Sequence, residues 1–334
     1  VVDDMALINI DPCNPELDKI SAAAEVIKQG GLVAFPTETV YGLGADALNP
    51  RAVARIFEVK NRPSFDPVIV HIGSSADLKR LCQEIDERAR NLMERFWPGP
   101  LTCVLPKSPL VPEIVTAGLP TVAVRMPSHP VALSLIKESN VPIAAPSANP
   151  FGYLSPTTAY HVERQIGEKV DLILDGGRCP IGVESTVVDF TEPEPVILRL
   201  GGLPVEEIKK VIEKIKVSDV IPKRPRSPGQ LPRHYSPRTP IIIIEDKDFK
   251  PPSGKKTGLL AFATPKRKSP YEVVEVLSPE KDLCEAAANF FSCLHRLDEA
   301  GLDVIYAEPI VEVGLGRAMM ERLRRASAKK TRKN

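Results

Sequence analysis

The residues able to do chemistry in this chain are cations and small polar groups at the ends of apolar runs. Lys60 and Arg62 stand either side of Asn61, where a helix must end before Pro63. By themselves they also suit a solvated helix terminus, where the dipole favours cations. Arg125 ends the run TVAV with no acid near it in sequence, and Arg199 in PVILRL has the same character. A guanidinium so placed grips a carboxylate or phosphate through two hydrogen bonds. Ser147 and Asn149 follow VPIAA, and Ser155 precedes Pro156 as a helix start that would offer N–H groups to an anion. Ser185 opens STVVDF, while His71 inside PVIVHI reads in isolation as a satisfied core histidine. Cations and hydroxyls without a nucleophile suit a nucleotide and a carboxylate, held for a reaction that proceeds by positioning and charge neutralisation.

Other chemistries are disfavoured. PPSGKKTG (251–258) carries the end of a phosphate loop, but the earlier glycine falls on Phe249 and a strand follows instead of a helix. The chain has no G-x-G-x-x-G and no G-x-S-x-G, and none of its five histidines stands in a triad or metal spacing. Covalent catalysis and a structural metal are therefore both disfavoured.

Stepping outward, FPTETVYGLGADA (35–47) leaves the apolar run GLVA and admits two readings. It is either a glycine-rich turn or the wall of a small-molecule site beyond a strand end. Helices are expected from Asn14-Pro15 to Gly30-Gly31, from Asn49-Pro50, and through Leu78, Leu81 and Ile85. The β-like runs GLVAFP, PVIVHI, LTCVLP, TVAVRM, PIAAP, DLILD, STVVDF and PVILRL complete an α/β or α+β layer domain over residues 8–205. Residues 206–238 then turn proline-rich and basic, as a linker does. A second α/β unit spans 239–327, with strands PIIIIE, TGLLAF, YEVVEV and LDVIYAE and helices near 280–297 and 316–326; residues 328–334 form a basic tail.

Composition narrows the class. The 334 residues suit two domains, and a net charge of +1 points to neither nucleic acid nor membrane. No run approaches the ~18–20 apolar residues of a membrane span, and the start VVDDMALINIDP lacks a secretion signal. Six scattered cysteines without C-x-x-C spacing suggest reduced thiols in a cytoplasmic protein. The 34 prolines are about twice the ordinary share and stiffen the connections.

Taken in order, FPTETVYGLGADA, FEVKNRPSFDPVIVHI, FWPGPLT, TVAVRMPSHP, APSANPFG and GVESTVVD resemble the YrdC family. The later SPGQLPRHYSP and GLGRAMMERLRRAS resemble its long form with a C-terminal accessory domain. The resemblance implies an open, twisted mixed α/β sheet around a large concave cavity, plus a smaller C-terminal Rossmann-like α/β domain. It implies a nucleotidyltransferase that joins L-threonine, bicarbonate or carbon dioxide, and ATP into threonylcarbamoyl-adenylate, releasing pyrophosphate. Magnesium accompanies ATP, and tRNA threonylcarbamoyl-transfer enzymes act downstream.

Carried over by the same resemblance, Thr39, His71, Arg125, Ala145 (through its backbone) and Ser185 hold threonine, with Arg125 on the carboxylate. Lys60 and Arg62 carry catalysis. They also face ATP, together with Asp66, Thr121, Ser147, Asn149, Ser155, Arg199, His234 and Tyr235. Asp66 departs from the asparagine of the family's RPxxNP, and a carboxylate beside triphosphate is repulsive unless it reaches magnesium or ribose hydroxyls. The segment SPGxxxxHYxP returns over the cavity in the long form, so His234 and Tyr235 would close a lid that excludes water. Rival readings are an RNA-binding module, which should be steeply salt-dependent, and a regulator binding threonine or nucleotide without turnover. Low net charge counts against the first, and the K-x-R and S-x-N sets count against the second. A related hydrogenase-maturation enzyme would carry cysteine-rich regions that this sequence lacks.

Overall fold

The computed structural model describes residues 6–218, 225–231, 234–246, 249–265 and 270–328. Eleven short strands make the larger sheet: β1 (Ala6–Asn9), β2 (Val33–Phe35), β3 (Gly42–Asp46), β4 (Ile69–His71), β5 (Leu101–Pro106), β6 (Thr121–Arg125), β7 (Ile143–Ala144), β8 (Leu172–Asp175), β9 (Thr186–Asp189), β10 (Val196–Arg199) and β11 (Lys216–Val217). Their spatial order is β1-β8-β2-β3-β7-β4-β6-β5-β9-β10-β11. The sheet is mixed: β4 and β6 run parallel, as do β5 and β9, whereas β2–β3, β5–β6 and β9–β10 are antiparallel.

Helices cover both faces. α1 (Leu17–Lys28) and α6 (Pro130–Ser139) bring Ile20, Ile27, Leu135 and Ile136 against Phe35, Ile143 and Leu174. On the opposite face α2 (Pro50–Lys60), α4 (Glu87–Phe96) and α7 (Ala159–Ile166) add Val53, Ile56, Leu92 and Val162 to Leu43, Val70 and Val124. Each such side chain contributes about 1.5–3 kcal/mol on full burial. The short helices α3 (Ser75–Leu81) and α5 (Glu113–Thr116) complete the connections. α2 is well bounded: Asn49 accepts from the N–H groups of Arg51 and Ala52, Pro50 sits in the first turn, and Asn61 ends the helix in the left-handed region.

Several local readings shift. The first helix starts at Leu17, because Asp11 accepts from the N–H groups of Cys13 and Asn14 and holds them in a turn. α7 starts at Ala159, capped by Thr158, so Ser155 does not present helix N–H groups. GLGAD is neither turn nor helix start but β3, the antiparallel partner of β2. Residues 206–217, read from sequence as linker, continue α8 (Val205–Lys209) and form β11, and place Ile208, Ile212 and Ile215 in the first unit's core.

The smaller sheet contains β12 (Ile241–Ile243), β13 (Thr257–Ala261), β14 (Val273–Val276) and β15 (Val304–Ala307), all parallel, in the order β12-β15-β13-β14. α9 (Leu283–Glu299) and α10 (Leu315–Ser327) pack between it and the first unit. Their Phe290, Phe291, Leu294, Met319 and Leu323 share one core with Val40, Leu154, Val183 and Tyr235. The two units are therefore joined by apolar packing as well as by chain.

Candidate active site

The loop at 36–41 leaves β2 and returns as β3 beside the ends of several strands, and one cavity collects these ends. His71 and Arg125 finish parallel neighbours in register. Arg125 donates from Nη1 to Thr39 Oγ1 at 3.0 Å and from Nε to the Gly99 carbonyl at 3.3 Å. Its Nη2 lies 2.7 Å from Glu38 Oε1. Thr37 donates to the Val40 carbonyl at 2.7 Å and meets Thr39 Oγ1 at 2.8 Å, so Thr-Glu-Thr is a turn that fixes the Arg125 fork. Tyr41 turns into the core, its hydroxyl donating to the Gly177 carbonyl at 2.7 Å. Burial, then the Arg125 charge, hold the His71 pKa at about 3, so its ring is neutral.

Three further cations line the cavity. Lys60 is fully buried and donates to the carbonyls of Ser147, at 2.5 Å, and Asn149. Two of its three N–H groups thus tie the Ser-Ala-Asn turn to the end of α2. Burial, then Arg62, push its pKa well below the usual lysine range. Arg62 donates from Nε to the Asp66 carbonyl at 3.0 Å and from Nη2 to the Pro67 carbonyl at 2.6 Å, and Nη2 pairs with Asp66 Oδ2 at 3.0 Å. Burial raises the Asp66 pKa while Arg62 and Lys60 pull it back. Arg199 donates from Nε and Nη2 to the Ser185 carbonyl, from Nη2 to Ser185 Oγ at 3.0 Å, and from Nη1 to the Pro228 carbonyl at 3.3 Å. These arginines are held by carbonyls and partners before any ligand arrives, as a preorganised charge-stabilising wall requires.

The roof comes from the connection between units: Pro228, His234 and Tyr235. Tyr235 is buried with φ at +59°, a left-handed conformation that costs a non-glycine residue about 1–2 kcal/mol. The His234 ring meets Phe151 edge-on at 5.7 Å. His71 Nδ1, His234 Nδ1, Asn149 Oδ1 and the Tyr235 hydroxyl are all buried without a hydrogen-bond partner. Each such atom costs about 1–3 kcal/mol, which a polar ligand would relieve. The cavity between these walls and the roof measures about 50 Å³. Sites for drug-sized ligands occupy roughly 300–1,000 Å³.

The cavity lining thus brings together Thr39, Lys60, Arg62, His71, Arg125, Ala145, Ser147, Asn149, Ser185, Arg199, His234 and Tyr235. Three expected residues lie outside it. Thr121 opens β6 opposite Pro106, at the far end of the strand from Arg125. Asp66 stands behind Arg62, and Ser155 donates to Glu184 Oε1. Sequence reasoning missed Glu38, Glu184 and Phe151. Both acids sit inside motifs already singled out, TET and VEST, but their partners Arg125 and Arg322 are remote in sequence. Burial pushes the Glu184 pKa up, but Arg322 and then Arg199 overcome it, for a net lowering.

Among the described residues no group of three His, Cys, Asp or Glu could hold a metal ion. Asp66 and Glu184 are each turned to an arginine, so the residues present do not fit a resident magnesium site. No described helix is long and apolar enough to cross a membrane.

The chain is similar over nearly its whole length to known proteins. The Sua5/YciO/YrdC family model, described as telomere recombination, matches residues 25–201. The model for the threonylcarbamoyl-AMP synthase C-terminal domain matches residues 203–328. The chain is 49% identical over 326 residues to the threonylcarbamoyl-AMP synthase of Pyrococcus abyssi, covering 92% of this chain and 94% of that protein. It is 43% identical over 322 residues to the Bacillus subtilis protein of the same name, covering 92% and 93%. The crystal structure of P. abyssi Sua5 complexed with L-threonine superposes with a TM-score of 0.91 at 47% identity, covering 97% of this chain and 98% of that one. Both domain matches and the near-full-length likeness converge: the chain belongs to the Sua5/YciO/YrdC family of threonylcarbamoyl-AMP synthases, nucleotidyltransferase-type enzymes, in its two-domain form.

Proposed function

We propose that this chain condenses L-threonine, bicarbonate or carbon dioxide, and ATP into threonylcarbamoyl-adenylate and pyrophosphate, with water as a further product when bicarbonate supplies the carbon. The product then supplies the enzymes that transfer the threonylcarbamoyl group to tRNA. The observation that carries the reading is a single cavity lined by Thr39, Lys60, Arg62, Arg125, Ser185 and Arg199, roofed by Pro228, His234 and Tyr235.

In this reading Arg125 receives the threonine carboxylate, and Thr39, Ser185 and neutral His71 surround the amino acid. The amine adds to the carbon of carbon dioxide and loses a proton, giving a carbamate. A carbamate oxygen then attacks the α-phosphorus, and pyrophosphate leaves. No step needs a protein nucleophile. Arg62 and Arg199 neutralise charge that grows on the phosphates, while Lys60 holds the Ser147–Asn149 turn beside them. Magnesium would arrive with the triphosphate, whose oxygens and waters supply most of its ligands. Closing the roof shields the mixed anhydride from hydrolysis.

The test is pyrophosphate release from ATP and magnesium, with and without L-threonine and bicarbonate. Release should require both co-substrates, and release indifferent to them overturns the reading.

A further inference from the structure

Helix α10 carries several arginines, and one of them is out of place. Arg317, Arg324 and Arg325 pair with Glu206, Glu312 and Glu321 at or near the surface. Arg322 is 1% exposed, among the apolar Met319 and Leu323. Its Nε and Nη2 each lie 2.7 Å from Glu184 Oε2. Its Nη1 donates to the carbonyls of Leu200, at 3.1 Å, and Ala318, at 2.9 Å. Its guanidinium carbon stands 5.0 Å from the centroid of the Tyr235 ring. A C-terminal helix therefore places a cation behind the wall and roof of a cavity that the first unit and the connection otherwise build.

Core packing alone gives no reason for that cation. A buried ion pair is often no more stable than apolar side chains of similar volume. Tyr235 does give a reason. It sits in a left-handed backbone conformation with its hydroxyl unpartnered, so the shut roof carries a local cost. A desolvated guanidinium over the ring face offsets such a cost. Glu184 in turn fixes Arg322, since Ser155 occupies its other oxygen.

We propose that Arg322 is a positioning residue for the reaction. Through the Tyr235 ring it holds the roof shut, so the C-terminal unit sets how firmly the cavity retains nucleotide. This assignment rests on the adenylate-forming reading above.

The test uses the full chain as wild type, R322M/E184Q and R322K. The double variant removes both buried charges together, because R322M alone would strand Glu184. Two quantities are measured: hydrogen exchange in peptides containing Tyr235, and the KM for ATP and for threonine in pyrophosphate release. In R322M/E184Q, roof exchange should quicken and the ATP KM should rise by roughly five- to thirtyfold, the weight of a desolvated cation–π contact. The threonine KM should move much less. R322K keeps a charge opposite Glu184 but loses the guanidinium over the Tyr235 ring, so it should show a smaller shift of the same kind. If the double variant does not fold, R322K decides by the same two measurements. Wild-type exchange and wild-type ATP dependence in a folded variant overturn the proposal. If the wild type releases no threonine-dependent pyrophosphate, the adenylate reading fails, and the exchange result still decides whether Arg322 holds the roof.

Discussion

Arg125 reaches the cavity with its fork already committed on one side, to Glu38 and the Gly99 carbonyl, while Nη1 meets Thr39. Lysine at this position would keep the charge but lose the planar fork that matches a carboxylate. Arg125→Lys should therefore raise the threonine KM by about tenfold or more, with a smaller effect on kcat, in steady-state pyrophosphate assays. An unchanged threonine KM would remove Arg125 from the carboxylate. Arg62→Ala should slow adenylate formation by about 10²–10³-fold, the usual weight of one preorganised charge donor. It should also cost about 1–3 kcal/mol in urea unfolding, because Asp66 is left buried without its cation. Arg62→Ala with Asp66→Asn should recover that stability without recovering activity. Arg125 and Arg199 were legible in sequence because each ends an apolar run, whereas Lys60 and Arg62, at a helix end, gained meaning only from the K-x-R resemblance. The acids that hold them were not: Glu38 and Glu184 gain meaning only when remote arginines fold against them.

Among the elements, β3 shows most clearly what sequence conceals. GLGAD has two glycines, no β-branched residue and no alternation, so nothing in it announces a strand. Its pairing with β2 supplies the explanation. A Cβ on Gly44 would stand 2.6 Å from Phe35 Cε1 and 2.8 Å from Ile143 Cγ2, so glycine answers to packing inside the sheet. Gly42, by contrast, lines the cavity. Gly44→Ala should destabilise the fold by about 1–3 kcal/mol through overpacking. The urea midpoint should fall at constant m-value, and an unchanged midpoint would show that Phe35 has room to yield. β11 escaped notice for a related reason, being two exposed residues at the sheet edge. α2 was easy to read because Asn49, Pro50 and Pro63 mark its ends with unambiguous local chemistry.

At the scale of the molecule, the proline-rich change in composition marked the passage between two units, but no local pattern showed that they share a core. That joint includes His161 of the first unit stacked on His295 of the second, centroids 4.0 Å apart. It belongs to a wider pattern, because all five histidines are buried. Burial holds His71, His161 and His234 at about 3 and His295 at about 4, and lowers His129 as well. In the unfolded chain each titrates near 6.5. Above pH 6.5 both states are neutral at these sites and stability is complete. As pH falls from 6.5 toward 4, the unfolded chain takes up protons that the folded protein refuses, and stability is lost. Each histidine contributes at most about 1.4 kcal/mol per pH unit, so the combined loss at pH 5.5 should be of order 5 kcal/mol. Glu184, lowered by Arg322 and Arg199, adds to the loss at lower pH, whereas Asp46 and Asp66, raised by burial, oppose it there. Since whole domains are stable by only about 5–15 kcal/mol, urea midpoints should drop steeply between pH 7 and pH 5.5. Replacing His161 and His295 together by phenylalanine should make that drop shallower. A midpoint that stays flat across this interval would mean the histidines are not held neutral by the fold.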